Sequence, residues 1–162
     1  MKDIHTLLKL LRFASLQDYV LPDTLLSDNI DWRAVYALAL HQGISAIVLD
    51  AIGRLPKEIR PSKPMLLQWI GQATMMEQMY AKHRWLISSL ASVYAKDGIR
   101  MLLLKGYGCS LCYKKPEHRP TGDIDVYLFG RQDEADILVE KQLGIKVHAT
   151  KVLLVDYQYY TL

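Results

Sequence analysis

Apolar side chains recur every three or four residues through most of the first hundred positions, which is the spacing of amphipathic helices. Asp31 is a suitable N-cap for one of these segments, and Gly43 is a suitable residue to end it. The longest segment stops at Asp97-Gly98, a dipeptide that commonly ends helices. The pattern therefore predicts helices over residues 4–14, 31–43, 44–56 and 65–96.

After Gly98 the apolar positions form short continuous runs separated by glycine, proline and charged residues. "IRMLLLKG" predicts a buried strand and "DIDVYLF" a second strand. The remaining segments predict a short helix in "YGCSLCYKK", a helix in "QDEADILVEKQLG", and one bent strand or two short strands in "IKVHATKVLLVDYQYY". The fold class is therefore predicted to be α+β, with a helical region over residues 1–97 and a small α/β part over residues 98–162.

The composition is that of a globular protein, because 51% of the 162 residues are hydrophobic and 23% are charged. The formal net charge of +3 is compatible with a nucleotide or nucleic-acid ligand but argues for neither. The apolar runs are too short to cross a bilayer, and "MKDIHTLLKLLRF" contains no small-residue cleavage site. We therefore expect a cytoplasmic protein that does not enter a membrane.

Cys109 and Cys112 have the C-x-x-C spacing of redox pairs and of half zinc sites. A second cysteine pair that would complete a zinc site is missing from the sequence. We expect two reduced thiols packed in a short helix, and a metal or redox role is the alternative.

Asp123 and Asp125 flank one isoleucine at the start of the second predicted strand, in "RPTGDIDVYL". Side chains alternate along a strand, so both acids are expected on one face, roughly 7 Å apart along the backbone. Two carboxylates at that separation can converge on Mg²⁺, which prefers hard oxygen ligands. The alternative is that Gly122-Asp123 is only a turn and Asp125 an exposed strand residue.

The stretch "LLLKGYG" leads from the first predicted strand into a short helix. Glycine at such a turn lets the backbone approach a phosphate closely, and Lys105 adds a cation beside it. Arg119, which lies a few residues before the two acids, is a further candidate for contacting phosphate. The alternative for the glycines is an ordinary strand-to-helix turn, and the alternative for Arg119 is a solvated loop.

The order of these elements resembles the catalytic module of the DNA polymerase beta-like nucleotidyltransferase superfamily. Within that superfamily, three stretches are similar to a bacterial family of largely uncharacterised nucleotidyltransferases: "DWRAVYALALHQGISAIVLDAI" (Asp31 to Ile52), "LLLKG" and "RPTGDIDVYL". The resemblance covers about residues 25–130. It implies that residues 98–162 form a small nucleotidyltransferase-like mixed β-sheet with flanking helices.

The resemblance also implies a site and a reaction. Gly106 falls where the family has its phosphate-cradling glycine, and Asp123 and Asp125 fall at its two metal-binding aspartates. The implied reaction transfers a nucleoside monophosphate from an NTP to an acceptor, with Mg²⁺ as cofactor and pyrophosphate as product. The acceptor class stays open between a small molecule, RNA and protein.

The sequence departs from the family pattern at two places. Tyr107 follows Gly106 where many members have the serine whose hydroxyl holds a phosphate, and the nearest serine, Ser110, is the candidate for that role here. The third carboxylate that members take from a later strand has one candidate, Asp156, after which the chain ends early at Leu162. We therefore expect either an active enzyme or a truncated, inactive relative.

Two other functions remain open. One is a catalytically degenerate module that binds a nucleotide or a partner protein, for example as a component of a toxin–antitoxin pair. The other is a structural or regulatory helical protein in which the D-I-D motif is incidental; this function predicts that the carboxylates diverge or are buried against arginines.

Overall fold

The computed structural model describes residues 2–21 and 29–144, together with the backbone of residues 158–160. Six α-helices occupy most of this part of the chain: α1 (Lys2–Ser15), α2 (Trp32–His41), α3 (Ser45–Arg54), α4 (Lys63–Lys96), α5 (Tyr107–Ser110) and α6 (Gln132–Leu143). Three strands accompany them: β1 (Leu102–Gly106), β2 (Ile124–Tyr127) and β3 (Gln158–Tyr160). Single turns of 3-10 helix lie at Lys57–Ile59 and Pro116–His118. The α+β class and the helical N-terminal region are thus confirmed.

The chain divides into two compact units. The first comprises Met1–Gln78 and Glu117–Pro120, and the second comprises Met79–Pro116 and Thr121–Leu162. The division falls within α4, whereas the sequence suggests a boundary near Asp97–Gly98, where this helix ends. The domain boundary at that dipeptide stays a prediction.

The first unit has a helical core. As predicted, Asp31 caps α2, and its Oδ1 accepts hydrogen bonds from the backbone N–H groups of Arg33 and Ala34 at 3.0 and 3.1 Å. Trp69 is fully buried, and its indole N–H donates to the Ser45 carbonyl at 2.7 Å. Buried apolar side chains surround it: Leu7, Leu10, Val35, Tyr36, Ala39, Val48, Ala51, Ile52 and Leu55.

A buried histidine adds polar contacts to the first unit. His118 Nδ1 lies 2.7 Å from Asp50 Oδ2, and its Nε2 lies 3.0 Å from Glu77 Oε1. An ionised carboxylate only accepts hydrogen bonds, so both bonds together require a proton on each ring nitrogen. These contacts attach the segment Glu117–Pro120 to helices α3 and α4 within this unit.

The second unit contains an antiparallel sheet with the strand order β1-β2-β3. Leu103 pairs with Val126 and Gly106 with Ile124, and the register shifts between these two pairs. On the other edge of β2, Asp125 pairs with Tyr159. The strand that carries the D-I-D motif is therefore the central strand of the sheet.

The core of the second unit lies between the sheet and two helices. The residues buried there come from α4, β2, α6 and the segments that join them: Leu86, Leu90, Val93, Tyr94, Ile99, Ile124, Val126, Leu128, Ala135 and Val139. The expectation that β1 is a buried strand was wrong. Leu102 is 49% exposed and Lys105 is also exposed, because β1 is the outer strand of the described sheet.

Candidate active site

Gly106 ends β1 in a conformation that favours glycine, with φ at +67°. A methyl group in place of one of its hydrogens would lie 3.1 Å from the Asp123 carbonyl oxygen. It would also lie 3.5 Å from Asp125 Oδ2 and 3.6 Å from Asp123 Oδ1. The missing side chain therefore lets the β1-to-α5 turn approach both acids closely.

Both carboxylates approach this glycine, because an oxygen of each lies within 3.6 Å of the position that its side chain would occupy. Asp125 is only 1% exposed, so the alternative in which it is an exposed strand residue is wrong. Asp123 is half-buried and immediately precedes β2. Because both acids approach the same turn, the structure argues against the function in which the D-I-D motif is incidental, for which the acids were predicted to diverge.

Lys105 provides the cation that faces Asp125. Its Nζ lies 3.0 Å from Asp125 Oδ2, while the lysine side chain is 67% exposed. A buried carboxylate is stabilised by such a charged hydrogen bond. The described contacts thus bring together four predicted site residues: Lys105, Gly106, Asp123 and Asp125.

Asp123 and Asp125 are suited to bind a hard divalent cation, because their donor atoms are carboxylate oxygens. Among residues 2–21 and 29–144, no group of three or more histidine, cysteine, aspartate or glutamate side chains has an arrangement suited to a metal ion. Asp156, the predicted third carboxylate, lies outside the described residues. The described residues at this site therefore provide two carboxylate ligands, Asp123 and Asp125.

Ser110 is fully buried and takes part in the packing of α5. Its hydroxyl donates to the Tyr107 carbonyl at 2.6 Å and lies 3.2 Å from the Tyr80 hydroxyl. The rings of Tyr80 and Tyr107 stack with their centroids 4.5 Å apart. Burial, and next a hydrogen bond with Tyr80, raise the pKa of Tyr107, so its phenol stays neutral at physiological pH. Tyr107 and Ser110 thus fix the helix that follows Gly106.

Arg119 belongs to the first unit. Its guanidinium donates to the Pro120 carbonyl at 3.4 Å. Its assignment to a phosphate stays a prediction.

Cys109 and Cys112 are unbridged and exposed. The sequence predicted that both thiols would be packed in a short helix. Cys109 lies in α5, but this helix ends at Ser110, so Cys112 lies outside it. The prediction that the two thiols are packed was therefore wrong, because both are exposed.

His83 lies in the second unit, and the sequence did not identify it as a candidate site residue. It is 4% exposed, and its Nδ1 lies 2.8 Å from Thr121 Oγ1. Burial lowers the pKa of His83, and the negative charge of Asp123 opposes that shift. The two bonded residues are 38 positions apart, so no local spacing signalled the pair.

None of the helices in the described part of the chain combines the length and apolar character that a bilayer crossing requires. No curated protein and no solved structure matches the chain significantly. A family model described as "uncharacterised nucleotidyltransferase" matches residues 28–142, which confirms the resemblance drawn from the L-K-G turn and the D-I-D strand. Because this match covers most of the chain and includes all four clustered residues, the protein belongs to that family and has a general nucleotidyltransferase role.

Proposed function

We propose that the protein is a Mg²⁺-dependent enzyme that transfers a nucleoside monophosphate from an NTP to an acceptor. The observation that carries the proposal is that the Asp123 and Asp125 carboxylates both approach the turn at Gly106. The family match supports the reaction class. The acceptor class, which is a small molecule, RNA or protein, is left for experiment.

Asp123 and Asp125 would hold the divalent ion, which supplies positive charge to the triphosphate and to the leaving pyrophosphate. Asp125 is a rigid ligand because it lies in the central strand and is buried. Asp123 is the more accessible of the two, so it is better placed to contact an ion that arrives with the substrate. If Asp156 adds a third carboxylate, the same ion gains one more oxygen ligand.

Lys105 and Gly106 would bind the triphosphate. The lysine combines an exposed side chain with an ammonium group 3.0 Å from Asp125, so it can contact phosphate without leaving the acids. Gly106 leaves the space that a side chain would fill. Arg119 is retained as a further phosphate ligand to be tested. The buried hydroxyl of Ser110 supports a packing role instead.

In the reaction, the oxygen of an acceptor hydroxyl would bond to the α-phosphorus as the bond to pyrophosphate breaks, and the hydroxyl proton would be released to solvent. The described contacts place Lys105 and Gly106 beside the acids, and these two provide charge and space for phosphate rather than a base for the acceptor proton. Catalysis would therefore depend on positioning and charge neutralisation rather than on general acid–base chemistry.

The test uses purified protein, Mg²⁺ and NTPs labelled at the α-phosphate. Label transfer to RNA, protein and small molecules from a cell extract is followed together with pyrophosphate release. Asp123→Asn and Asp125→Asn should each reduce turnover by at least about 100-fold. Asp133→Asn, the same change at an exposed acid of α6, should leave turnover unchanged. Unchanged turnover in both site variants would contradict the proposal.

A second candidate function is a nucleotide- or partner-binding module without turnover. It is favoured by the ion pair in which Lys105 already neutralises Asp125, and by the absence of a third acidic ligand among residues 29–144. This function predicts NTP binding by the wild-type protein with no transfer of label to any acceptor. Co-purification of one partner protein in equal amount would support it further.

A further inference from the structure

We propose that His83 is a positioning residue for Asp123, which it acts on through its hydrogen bond to Thr121. The inference rests on the proposed function, because it concerns the same carboxylate pair. It assigns a role to a buried histidine that touches neither acid through any described hydrogen bond.

Asp123 needs an anchor more than Asp125 does. Asp125 lies within the central strand, is buried and pairs with a lysine. Asp123 lies one residue before β2, outside the described pairing of that strand. Asp123 also follows Gly122, and, apart from the chain neighbours of this glycine, no described atom lies within 4 Å of the position that a side chain at Gly122 would occupy. Its carboxylate therefore depends on how the backbone is held at Thr121.

His83 is suited to hold that backbone. It lies in α4, a helix of 34 residues, one turn from the buried Tyr80 and one turn from the buried Leu86. His83 thus lies on the buried face of the helix. The 2.8 Å separation from Thr121 Oγ1 is that of a good hydrogen bond, and the threonine hydroxyl can serve either tautomer of the ring.

The electrostatics agree with this placement. The Asp123 carboxylate raises the pKa of His83 against the larger effect of burial, so the acid is close enough for its charge to act on the ring. A neutral ring can hydrogen-bond to Thr121 without adding a positive charge that competes with a cation for Asp123. The contact therefore positions the acid and leaves its charge available.

The test measures Mn²⁺ affinity of the full chain, with and without a non-hydrolysable NTP, by the electron paramagnetic resonance signal of free Mn²⁺. Thr121→Val and His83→Leu each remove the hydrogen bond and should weaken Mn²⁺ binding about 10-fold. Thr121→Ser and His83→Asn retain a hydrogen-bonding group near the same position and should recover most of the affinity. Melting temperatures identify any variant that fails to fold.

A double-mutant cycle separates positioning from a general loss of stability. If the two residues act as one unit, the variant carrying both His83→Leu and Thr121→Val binds Mn²⁺ no more weakly than either single variant. Ser89→Ala removes a different hydroxyl hydrogen bond of α4 and should not change the affinity.

The outcomes distinguish the two proposals. If the wild-type protein binds Mn²⁺ and both single variants bind it equally well, the positioning role is wrong and the proposed function stands. Strictly additive losses in the double variant would also overturn the positioning role. If the wild-type protein binds no Mn²⁺ even with the nucleotide present, the proposed function itself fails, and this inference fails with it.

Discussion

Lys105 Nζ lies 3.0 Å from Asp125 Oδ2, so an exposed lysine neutralises a carboxylate that is buried at the centre of the sheet. The same carboxylate is a proposed ligand of a divalent ion. Metal binding therefore requires this ion pair to loosen or to be shared. In the proposed function the lysine would have two roles: it balances the charge of Asp125 in the metal-free protein, and it would contact phosphate when a nucleotide is bound.

Lys105→Met should separate these roles. Without nucleotide and metal, the variant leaves a buried carboxylate without this cation, and the free energy of unfolding should fall by about 1–3 kcal/mol. Mn²⁺ alone should bind more tightly than in the wild-type protein, because the competing ammonium is gone. Binding of the NTP should weaken about 10-fold, since a charged phosphate contact is lost.

The measurements are urea unfolding for stability, and Mn²⁺ and nucleotide titrations for binding. Lys141→Met, which changes an exposed lysine near the end of α6, is the matched control. Weaker Mn²⁺ binding in Lys105→Met would contradict the competition between the ammonium and the ion.

Gly106→Ala should destabilise the protein and reduce turnover. The backbone of Gly106, with φ +67° and ψ −110°, is in a region that side chains rarely adopt, which disfavours a side chain by about 1–3 kcal/mol. The added methyl group would also lie 3.1 Å from the Asp123 carbonyl oxygen, so the acid must shift. Gly71→Ala is the control, since that glycine lies inside α4 with open space around it, and the change should stabilise by about 0.5–1 kcal/mol. In thermal unfolding, Gly106→Ala should lower the melting temperature and Gly71→Ala should raise it. A shift in the same direction for both variants would contradict the strain at Gly106.

The stability of the protein should decrease at acid pH in a way that depends on His83. Burial lowers its pKa below the usual value of 6.5, so the unfolded chain takes up a proton at a higher pH than the folded protein does. The contribution of His83 to stability is therefore present above pH 6.5 and is lost as the pH falls through its folded pKa. The slope for one proton is at most about 1.4 kcal/mol per pH unit.

His83→Asn should flatten the dependence of the unfolding free energy on pH in this range. His41→Asn, at an exposed histidine, should leave it unchanged. In Asp123→Asn the opposing negative charge is gone, so the pKa of His83 should fall further, which an NMR titration of the ring protons would detect. Identical pH profiles for the wild type and His83→Asn would contradict the argument.

In the first unit, His118→Gln should lower the free energy of unfolding by about 1–3 kcal/mol. A glutamine amide cannot donate in the two opposed directions in which the ring faces Asp50 and Glu77. The same change at the exposed His5 should stay within about 0.5 kcal/mol of the wild type. Urea unfolding of the two variants makes the comparison, and equal stability of the two would show that the buried ring is dispensable.

Local rules predicted much of this structure. Asp31 and Gly144 mark helix ends that the sequence identified, since capping depends on neighbours within a few residues. Alternation along a strand predicted that Asp123 and Asp125 face one way. The L-K-G turn and the D-I-D strand also identified the family, because both motifs are contiguous in sequence.

Contacts between distant residues could not be predicted in the same way. The pairs His83–Thr121 and His118–Asp50 are separated by 38 and 68 positions, and neither leaves a periodic signal. The apolar run in β1 predicted burial, yet the strand order determines that its outer edge is exposed. The pairing of Lys105 with Asp125 follows from the register of β1 on β2. That register could not be predicted from the sequence.

Strand β3 covers the edge of β2 that β1 leaves open, with Tyr160, Tyr159 and Gln158 paired to Ile124, Asp125 and Val126. A protein shortened before Gln158 would expose that row of backbone donors and acceptors, which are the groups through which separate chains add to one another in aggregates. The same three residues that complete the sheet would then also protect the acid-bearing strand from self-association.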